Sequence, residues 1–526
     1  MRDIPSRSGR QAIVICQRRC LHRLLLDRRG VTAIAFAISL LPFLGMVALA
    51  TEVGSWYVGW IQAQNAADAA ALAGARAAAD ANAAWAAING PCLTAACGAP
   101  MQTAATSAAF DTAHRNGYSA QGSHGGFSYT VTTPVPSDTF VETLGANSWL
   151  VNEVKITVNV TATYLVSLFN DMLPTLGTRA VAYVNTTALA CVLSTAGDLT
   201  ISNNVTNAGP PCMLASNAID ETAITISGSP TIAMTGGLTT SGDCSPLAIC
   251  TSLPVGDGGV GQAFKAYQPA TINPFTAIDS LVANGTLTTS SAAYTVLPPT
   301  ACPSGTGGGY LVPAAGIPSN ASYPPAAKPY AYSCPSINLS SGTWLVMPGA
   351  YYFLNTPLTF SGGIVQCTDL ADGNGVPSPI GSCVNAPGHR FGVSFLLLGD
   401  PPASAGTLTI DSSVTFESAS DGSINFGAPD AANSAANNPS GLAGALTGVL
   451  FYGLGGGLVN ITGGGGAYLN GAIYFPNATI NYTNQVTPSC TVLIANTVNL
   501  NASSFARGCG SYGNTMPQTQ TVLLGG

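Results

Sequence analysis

Four histidines, His22, His114, His124 and His389, are the only imidazoles in this 526-residue chain. None stands in a nucleophile motif, and the G-x-S-x-G elbow that exposes a catalytic serine is absent. Beyond Cys191 the carboxylates are scattered singly, and the only bases are Lys265, Lys328, Arg390 and Arg507. The paired acid and base of polysaccharide cleavage are therefore missing. Asp411, Ser413 and Thr415 set three oxygens at alternate positions, the kind of donor a hard divalent cation takes. They lie inside an alternating run, 408–416, with no buried apolar strand leading into a helix. The glycine runs 455–457 and 463–466 lack the aspartates of calcium-binding repeats and a following Lys-Ser/Thr for phosphate, so turn corners account for them. The reading is a protein with no catalytic residue, cofactor, metal or small-molecule substrate, one that works by contact.

Cysteine is the other reactive residue. Cys16 and Cys20 precede a long apolar run, and twelve follow it: Cys92, Cys97, Cys191, Cys212, Cys244, Cys250, Cys302, Cys334, Cys367, Cys383, Cys490 and Cys509. An even dozen fits an oxidising compartment. No C-x-x-C occurs and histidine is scarce nearby, which leaves zinc unsupported. Short-range pairs are the economical expectation: Cys92 with Cys97, Cys191 with Cys212, Cys244 with Cys250, Cys367 with Cys383, Cys490 with Cys509. Spacing does not fix the connectivity.

What must carry these residues into such a compartment is the stretch 28–76. Arg28, Arg29 and Gly30 open it, and no charge follows until Glu52. About twenty apolar residues at about 1.5 Å each reach about 30 Å, the thickness of a bilayer's hydrocarbon core. Trp56, Tyr57 and Trp60 come next, in the place where interfacial aromatic rings anchor a span. Eight of the 16 basic residues lie within the first thirty, so the basic end reads as the cytoplasmic side of a single pass rather than as a nucleic-acid patch. Cleavage after Ala50 is the rival reading, and the length of the run and the aromatic belt beyond it oppose it. From 55 to 88 alanine dominates and favours helix. Small residues recur three and four apart at Ala63, Ala66, Ala67, Ala70, Gly74 and Ala77, a smooth face for a partner helix or for the chain's own domain.

This stretch resembles the N-terminal segment of the TadG-like proteins of bacterial Flp (tight-adherence) pilus systems. The shared residues are Arg28-Arg29-Gly30, Glu52, Gly54 and the box 64–75, Gln-Asn-Ala-Ala-Asp-Ala-Ala-Ala-Leu-Ala-Gly-Ala. A looser likeness follows at Cys191-Val192-Leu193, Pro348-Gly349-Ala350-Tyr351-Tyr352-Phe353, 471–476 and 490–495. The resemblance implies an inner-membrane component with its C-terminal part in the periplasm and other pilus-assembly proteins as partners. The chain departs from prepilins, because the fifth position after Gly30 is Ala35 and not glutamate. The Asp411 spacing is similar to the metal-dependent adhesion motif of von Willebrand type A domains, but its setting lacks that fold's strand and helix.

The organisation expected is a basic tail over 1–30, a transmembrane helix over 31–50 and an alanine-rich helix with a membrane-proximal α+β module over 51–190. A Gly/Ser/Thr/Asn-rich domain then fills 191–526. A short helix is expected near 103–115, a loop over 117–137 and strands near 151–163 and 179–185. Beyond Cys191, units such as Leu199-Thr200-Ile201, Ile224-Thr225-Ile226 and Leu408-Thr409-Ile410 alternate with Gly, Ser and Asn corners. This is the pattern of a right-handed β-solenoid rung, with a β-sandwich as the alternative. A Pro/Gly-rich insertion is expected near 251–330. With only 7% of residues charged, against about 25% in ordinary soluble proteins, stacked Asn and Ser must cover the surface. A surface adhesin is the second functional reading, with Trp344, Tyr351, Tyr452 and Tyr468 available either to meet glycans or to fill rungs.

If the exported cysteines pair, thiol labelling of the denatured, unreduced native protein should find at most the two free thiols of Cys16 and Cys20. Four or more would refute the pairing.

Overall fold

The computed structural model describes residues 28–89, 98–118, 121–124, 127–132, 148–159, 175–208, 212–252, 264–305, 307–314, 322, 328–367, 384–386, 389–390, 392–399, 406–416, 428, 444–463, 469–484, 491–506 and 516–525, less 229, 235 and 288–289. Helix α1 runs unbroken over Arg28–Asn89, 62 residues with Pro42 inside. The expected span and the expected alanine-rich helix are thus one rod, about 90 Å long at about 1.5 Å per residue. Its first part exposes Phe36, Ile38, Phe43, Leu44, Met46, Leu49, Val53 and Tyr57, whereas from Ala63 onward one side is buried. Helix α2, Gly98–Arg115, packs against α1 and ends on a turn in which Tyr118 N donates to Ala113 O at 2.8 Å.

An antiparallel sheet follows, built from β1 (Gln121–His124), β2 (Phe127–Thr132), β3 (Ser148–Asn159) and β4 (Thr175–Ser194). The loop expected over 117–137 contains the β1–β2 hairpin. Its Ser and Thr residues alternate with Phe127, Tyr129 and Val131, a period that composition hides. The C-terminal strand Gln518–Gly525 completes this sheet on the other side of β4.

β4 is also the first strand of a second system, and the boundary expected at 190/191 falls inside it. Its end, Ala190–Ser194 in register terms, pairs in parallel with Met213–Ser216 on one side and with Thr491–Leu500 on the other. Outward from Met213–Ser216 come Leu238–Thr240 and Phe264–Lys265. Outward from Thr491–Leu500 come Gly471–Asn484, Val449–Gly453, Val393–Leu398, Gly349–Leu354, Tyr330–Tyr332 and Thr295–Val296. A second parallel ladder repeats this order through Cys244–Ser245, Ile224–Ile226, Leu199–Ile201, Thr491–Leu500, Gly471–Asn484, Leu458–Gly463, Leu408–Ile410, Leu358–Phe360, Ile337–Leu339 and Ser304–Gly305. A third side has two shorter parallel sets, one from Gly309–Tyr310 to Val414–Phe416 and one joining Ile232–Ala233, Val205–Ala208 and Ser503–Ala506.

The order of strands in space is not their order in the chain. Leaving β4, the chain steps away in one direction as far as Phe264–Lys265. It then reappears at the far end with Thr295–Val296 and steps back until Thr491–Leu500 lies against β4. The stretch between, 266–294, runs along the outside and is tied down as it goes. Gln268 N donates to Thr240 O at 2.8 Å, and Asn217 exchanges two bonds with the Thr271 backbone at 2.7 and 3.0 Å. Asn273 Nδ2 donates to the Tyr474 hydroxyl at 3.1 Å. In the helix Thr276–Ala283, Asp279 accepts from the hydroxyls of Tyr474 and Tyr452. Burial pushes the Asp279 carboxyl above the ordinary carboxylate range, although the two tyrosine hydroxyls pull it down. Of the expected insertion over 251–330, therefore, 266–294 leaves the ladders, while Thr295–Val296, Ser304–Gly305 and Gly309–Tyr310 belong to them.

The apolar positions of the short runs fill the space between the ladders, as period-two alternation requires. Leu199, Ile201, Ile224, Ile226, Leu358, Phe360, Leu408 and Ile410 are all buried. Aromatic rings stack from strand to strand, with Phe395 and Phe451 centroids 5.1 Å apart and 15° between planes. On the outside, Asn499 donates to Asn481 at 2.8 Å and Asn481 to Asn460 at 2.9 Å, an amide ladder that satisfies surface polar groups without charge.

Backbones meet closely at one corner. Gly342 has φ +77°, and a Cβ there would run into the backbone of Gly307 and Gly308; Gly285 has φ +75° but open space around it. Gly342→Ala should therefore lower stability by more than about 2 kcal/mol, because strain and clash add, and Gly285→Ala by only about 1 kcal/mol from strain alone. Thermal denaturation of the two variants side by side checks this, and equal losses would contradict it.

Candidate functional site

The C-terminal half of α1 is a middle layer. Ala63, Ala66, Ala67, Ala70, Ala71, Ala75 and Ala79 are buried against Ala180, Ala182 and Val184 of β4 on one side and Ala109, Ala113 and Tyr118 of α2 and its turn on the other. Leu72, Phe110 and Val522 close the edges of this cluster. Gly74 is buried with them. Small side chains let the helix axis approach both neighbours, so dispersion contacts form between backbones rather than between long side chains.

Polar groups fix how far along the sheet the helix sits. Gln64 Nε2 donates to Arg179 O at 3.1 Å and to Asp68 Oδ1 at 2.7 Å. Asn82 Nδ2 donates to Gln520 Oε1 at 3.1 Å, and Gln520 Nε2 donates to Ala79 O at 2.9 Å and Ala270 O at 2.8 Å. Gln520 is 1% exposed, so these bonds stand out of reach of water. Arg76 donates to Tyr267 O at 2.9 Å and lies 3.8 Å from Asp80, which accepts from Ala270 N at 3.3 Å. Thr276 Oγ1 donates to Ala86 O at 3.2 Å.

Toward its N-terminal end α1 changes character. Glu52 is 5% exposed, and neither carboxylate oxygen has a hydrogen-bond partner. Trp56 is half-buried, Trp60 is 37% exposed, and Tyr57 stacks near Trp60 with centroids 6.2 Å apart. Everything apolar from Phe36 to Val53 in the exposed set faces outward, and α1 is long and apolar enough to cross a membrane. Residues 30–80, which span this change of character, match the family described as Tad, putative Flp pilus-assembly TadE/G-like. The segment is TadE/G-like. It is consistent with a TadG-like protein and supports involvement in pilus assembly. No curated protein and no solved structure matches the chain.

Arg28 and Arg29, just before the TadE/G-like segment, and Gly30, at its start, lie in helix α1. The contact face Ala63, Ala66, Ala67, Ala70 and Gly74 meets the chain's own sheet and α2, for the physical reason that this sheet presents an equally small row, Ala180 and Ala182. Of the cysteines, Cys191–Cys212, Cys244–Cys250 and Cys302–Cys334 are joined, with Cα atoms 5.6, 6.4 and 6.0 Å apart. The last pair was not among the expected ones. It spans 32 residues, and only the parallel register of Ser304–Gly305 with Ile337–Leu339 brings its members together. Cys92, Cys97, Cys383, Cys490 and Cys509 lie outside the described residues, and Cys367 ends the strand Gly363–Cys367. Asp411 is in an exposed turn between Leu408–Ile410 and Val414–Phe416, where Ser413 Oγ donates to Ser361 O at 2.7 Å. Gln520 escaped the sequence reading, because its partners lie some hundreds of residues away and no local pattern marks it.

Ala70→Leu should lower the thermal midpoint, because overfilling a packed site of this kind costs about 1–3 kcal/mol. The same substitution at exposed Asn65 should leave the midpoint nearly unchanged. A neutral Ala70→Leu would mean that the helix is not seated on the sheet in solution.

Proposed function

We propose that this is a non-catalytic, membrane-anchored envelope protein of Flp pilus assembly, held in the bacterial inner membrane with its β-rich part in the periplasm. The observation that carries the reading is the continuity of α1. One helix is exposed and apolar over the stretch that could cross a bilayer, and buried in the chain's own domain directly after it. Such a helix transmits position: whatever holds the span also holds the β region at a set height and rotation. The match over residues 30–80 supplies the process. The parallel ladders, with apolar residues inside and Gly, Ser and Asn at the corners, are read as rungs of a β-solenoid. An antiparallel sandwich would not give their parallel registers.

Other assembly proteins are the proposed partners. With the small-residue face seated on its own sheet, the α1 surface open to them is the exposed apolar stretch, where Cβ atoms at Gly45 and Gly54 would meet nothing within 4 Å. A small, open helix surface of this kind suits lateral packing of a second membrane helix. The adhesin reading loses its aromatic platform, because Trp344, Tyr351 and Tyr452 are 4%, 0% and 0% exposed and Tyr468 lies outside the described residues.

Fractionated cells test the proposal. The native protein should resist alkaline carbonate with its N-terminal arginines intact, and its β region should yield to protease only after the outer membrane is opened. A soluble chain beginning at Thr51, or digestion on intact cells, would overturn it in favour of a secreted or surface protein.

A further inference from the structure

One carboxylate stands alone in an uncharged part of the molecule. From Ala266 to Tyr294 the outer connection carries a single charged side chain, Asp279. The two strands it meets, Val449–Gly453 and Gly471–Asn484, carry none, and neither does α1 beyond Asp80. Among the described residues the ion pairs join Arg76 to Asp80 and Arg115 to Asp111, so no cation answers Asp279.

What answers it is a pair of hydroxyls. Tyr452 and Tyr474 are Cα partners on adjacent parallel strands, with ring centroids 5.6 Å apart, and both are fully buried. Both hydroxyls donate to the Asp279 carboxylate, that of Tyr452 at 3.3 Å. Asn273 Nδ2 donates to the Tyr474 hydroxyl at 3.1 Å, and buried Phe275 and Ile278 seat the same helix. Three residues before Asp279 the helix is tied to α1, where Thr276 Oγ1 donates to Ala86 O. An asparagine would accept from both hydroxyls without a charge to desolvate. The chain uses asparagine freely for such work, as at Asn481 and Asn499. What a carboxyl has and an amide lacks is a proton that comes and goes.

We propose that Asp279 is a proton-operated latch: on taking up a proton it fastens the outer connection more firmly to the ladders and, through Thr276, to the far end of α1. Burial raises the carboxyl above its ordinary range, although the two hydroxyl bonds lower it. The folded chain therefore takes up the proton at a higher pH than the unfolded chain. The added stability is complete below the ordinary carboxylate value of about 4 and is lost as the pH rises through the raised folded value. A protonated carboxyl accepts from Tyr474 and donates to Tyr452, so neither hydroxyl is left unmet. Burial holds both tyrosines above the ordinary phenol range, so they keep their protons across this window. Among the described residues, the other titratable groups facing the connection sit at its two ends. Arg76 and Asp80 of α1 meet Tyr267 and Ala270, and Asp243 accepts from the Tyr267 hydroxyl. At the far end Tyr294 packs on Tyr352, and Lys328 donates to Ala292 O.

The test reads amide hydrogen exchange of the full chain in neutral-detergent micelles, as the protection of Thr276–Ala283 over its intrinsic exchange rate at each pH. As the pH falls through the raised value, protection should increase by up to about tenfold per pH unit, the slope of one proton. Asp279→Asn should be as well protected near neutral pH as the native chain is in acid, with no rise. Tyr474→Phe removes a bond that holds the carboxylate charged, so its rise should begin at higher pH. A merely structural contact would lower protection without moving the rise. Protection that stays level with pH in the native chain, or a rise that Asp279→Asn keeps, would overturn the latch, as would a Tyr474→Phe rise at the native pH. The latch needs no membrane, so it stands or falls apart from the anchor.

Discussion

A strand of 20 residues that is hydrogen-bonded along its length moves as one body, and β4 is such a strand. Its first half forms the sheet on which α1 is seated; its end enters the parallel ladders between Met213–Ser216 and Thr491–Leu500. Cys191, on that end, is tied to Cys212 at the start of the neighbouring strand. The helix, the antiparallel sheet and both arms of the ladders therefore share one backbone. Rotating any of them requires breaking β4's bonds or bending a strand buried on both faces at Ala190, Val192 and Leu193.

The C-terminal strand reinforces this arrangement. It pairs with the middle of β4, sends Val522 into the helix seat and places Gln520 where α1, the sheet and the outer connection meet. A buried glutamine with three bonds to two segments, α1 and the outer connection, is specific in a way alanine packing is not. Small residues permit sliding, whereas an amide accepts only one position, since leaving its donors unmet in a dry site costs about 1–3 kcal/mol each. The alanines bring the helix close, and Gln520 and Gln64 decide where along the sheet it stops.

Much of this was legible in the sequence, element by element. The apolar span and its aromatic belt, the alanine-rich helix and the runs around Leu199, Ile224, Leu358 and Leu408 all follow from local periodicity, which a single segment expresses by itself. What was not legible is which segment lies beside which. Every rung presents the same apolar–polar–apolar pattern, so nothing local indicates that Thr491–Leu500 neighbours β4 rather than the end of the stack. The Cys302–Cys334 bond depends on that hidden register. The spacing at Ala63 to Gly74 marks a smooth face but not what lies on it, and in the structure Ala180 and Ala182, more than a hundred residues away, pack there, where no spacing rule reaches.

The order of the rungs also sets a clock. One side of β4 faces Met213–Ser216, supplied almost at once by the growing chain, and the other faces Thr491–Leu500, supplied nearly last. A chain that emerges in order from its N-terminal side thus keeps an unpaired edge open at the centre of its fold until some three hundred further residues have followed. Thr491–Leu500 closes that centre, and Gln518–Gly525, which carries Val522 into the seat of the helix, follows it onto β4. Closure of the domain is in this way a report that synthesis has passed Thr491–Leu500, written into the fold by the place of one strand.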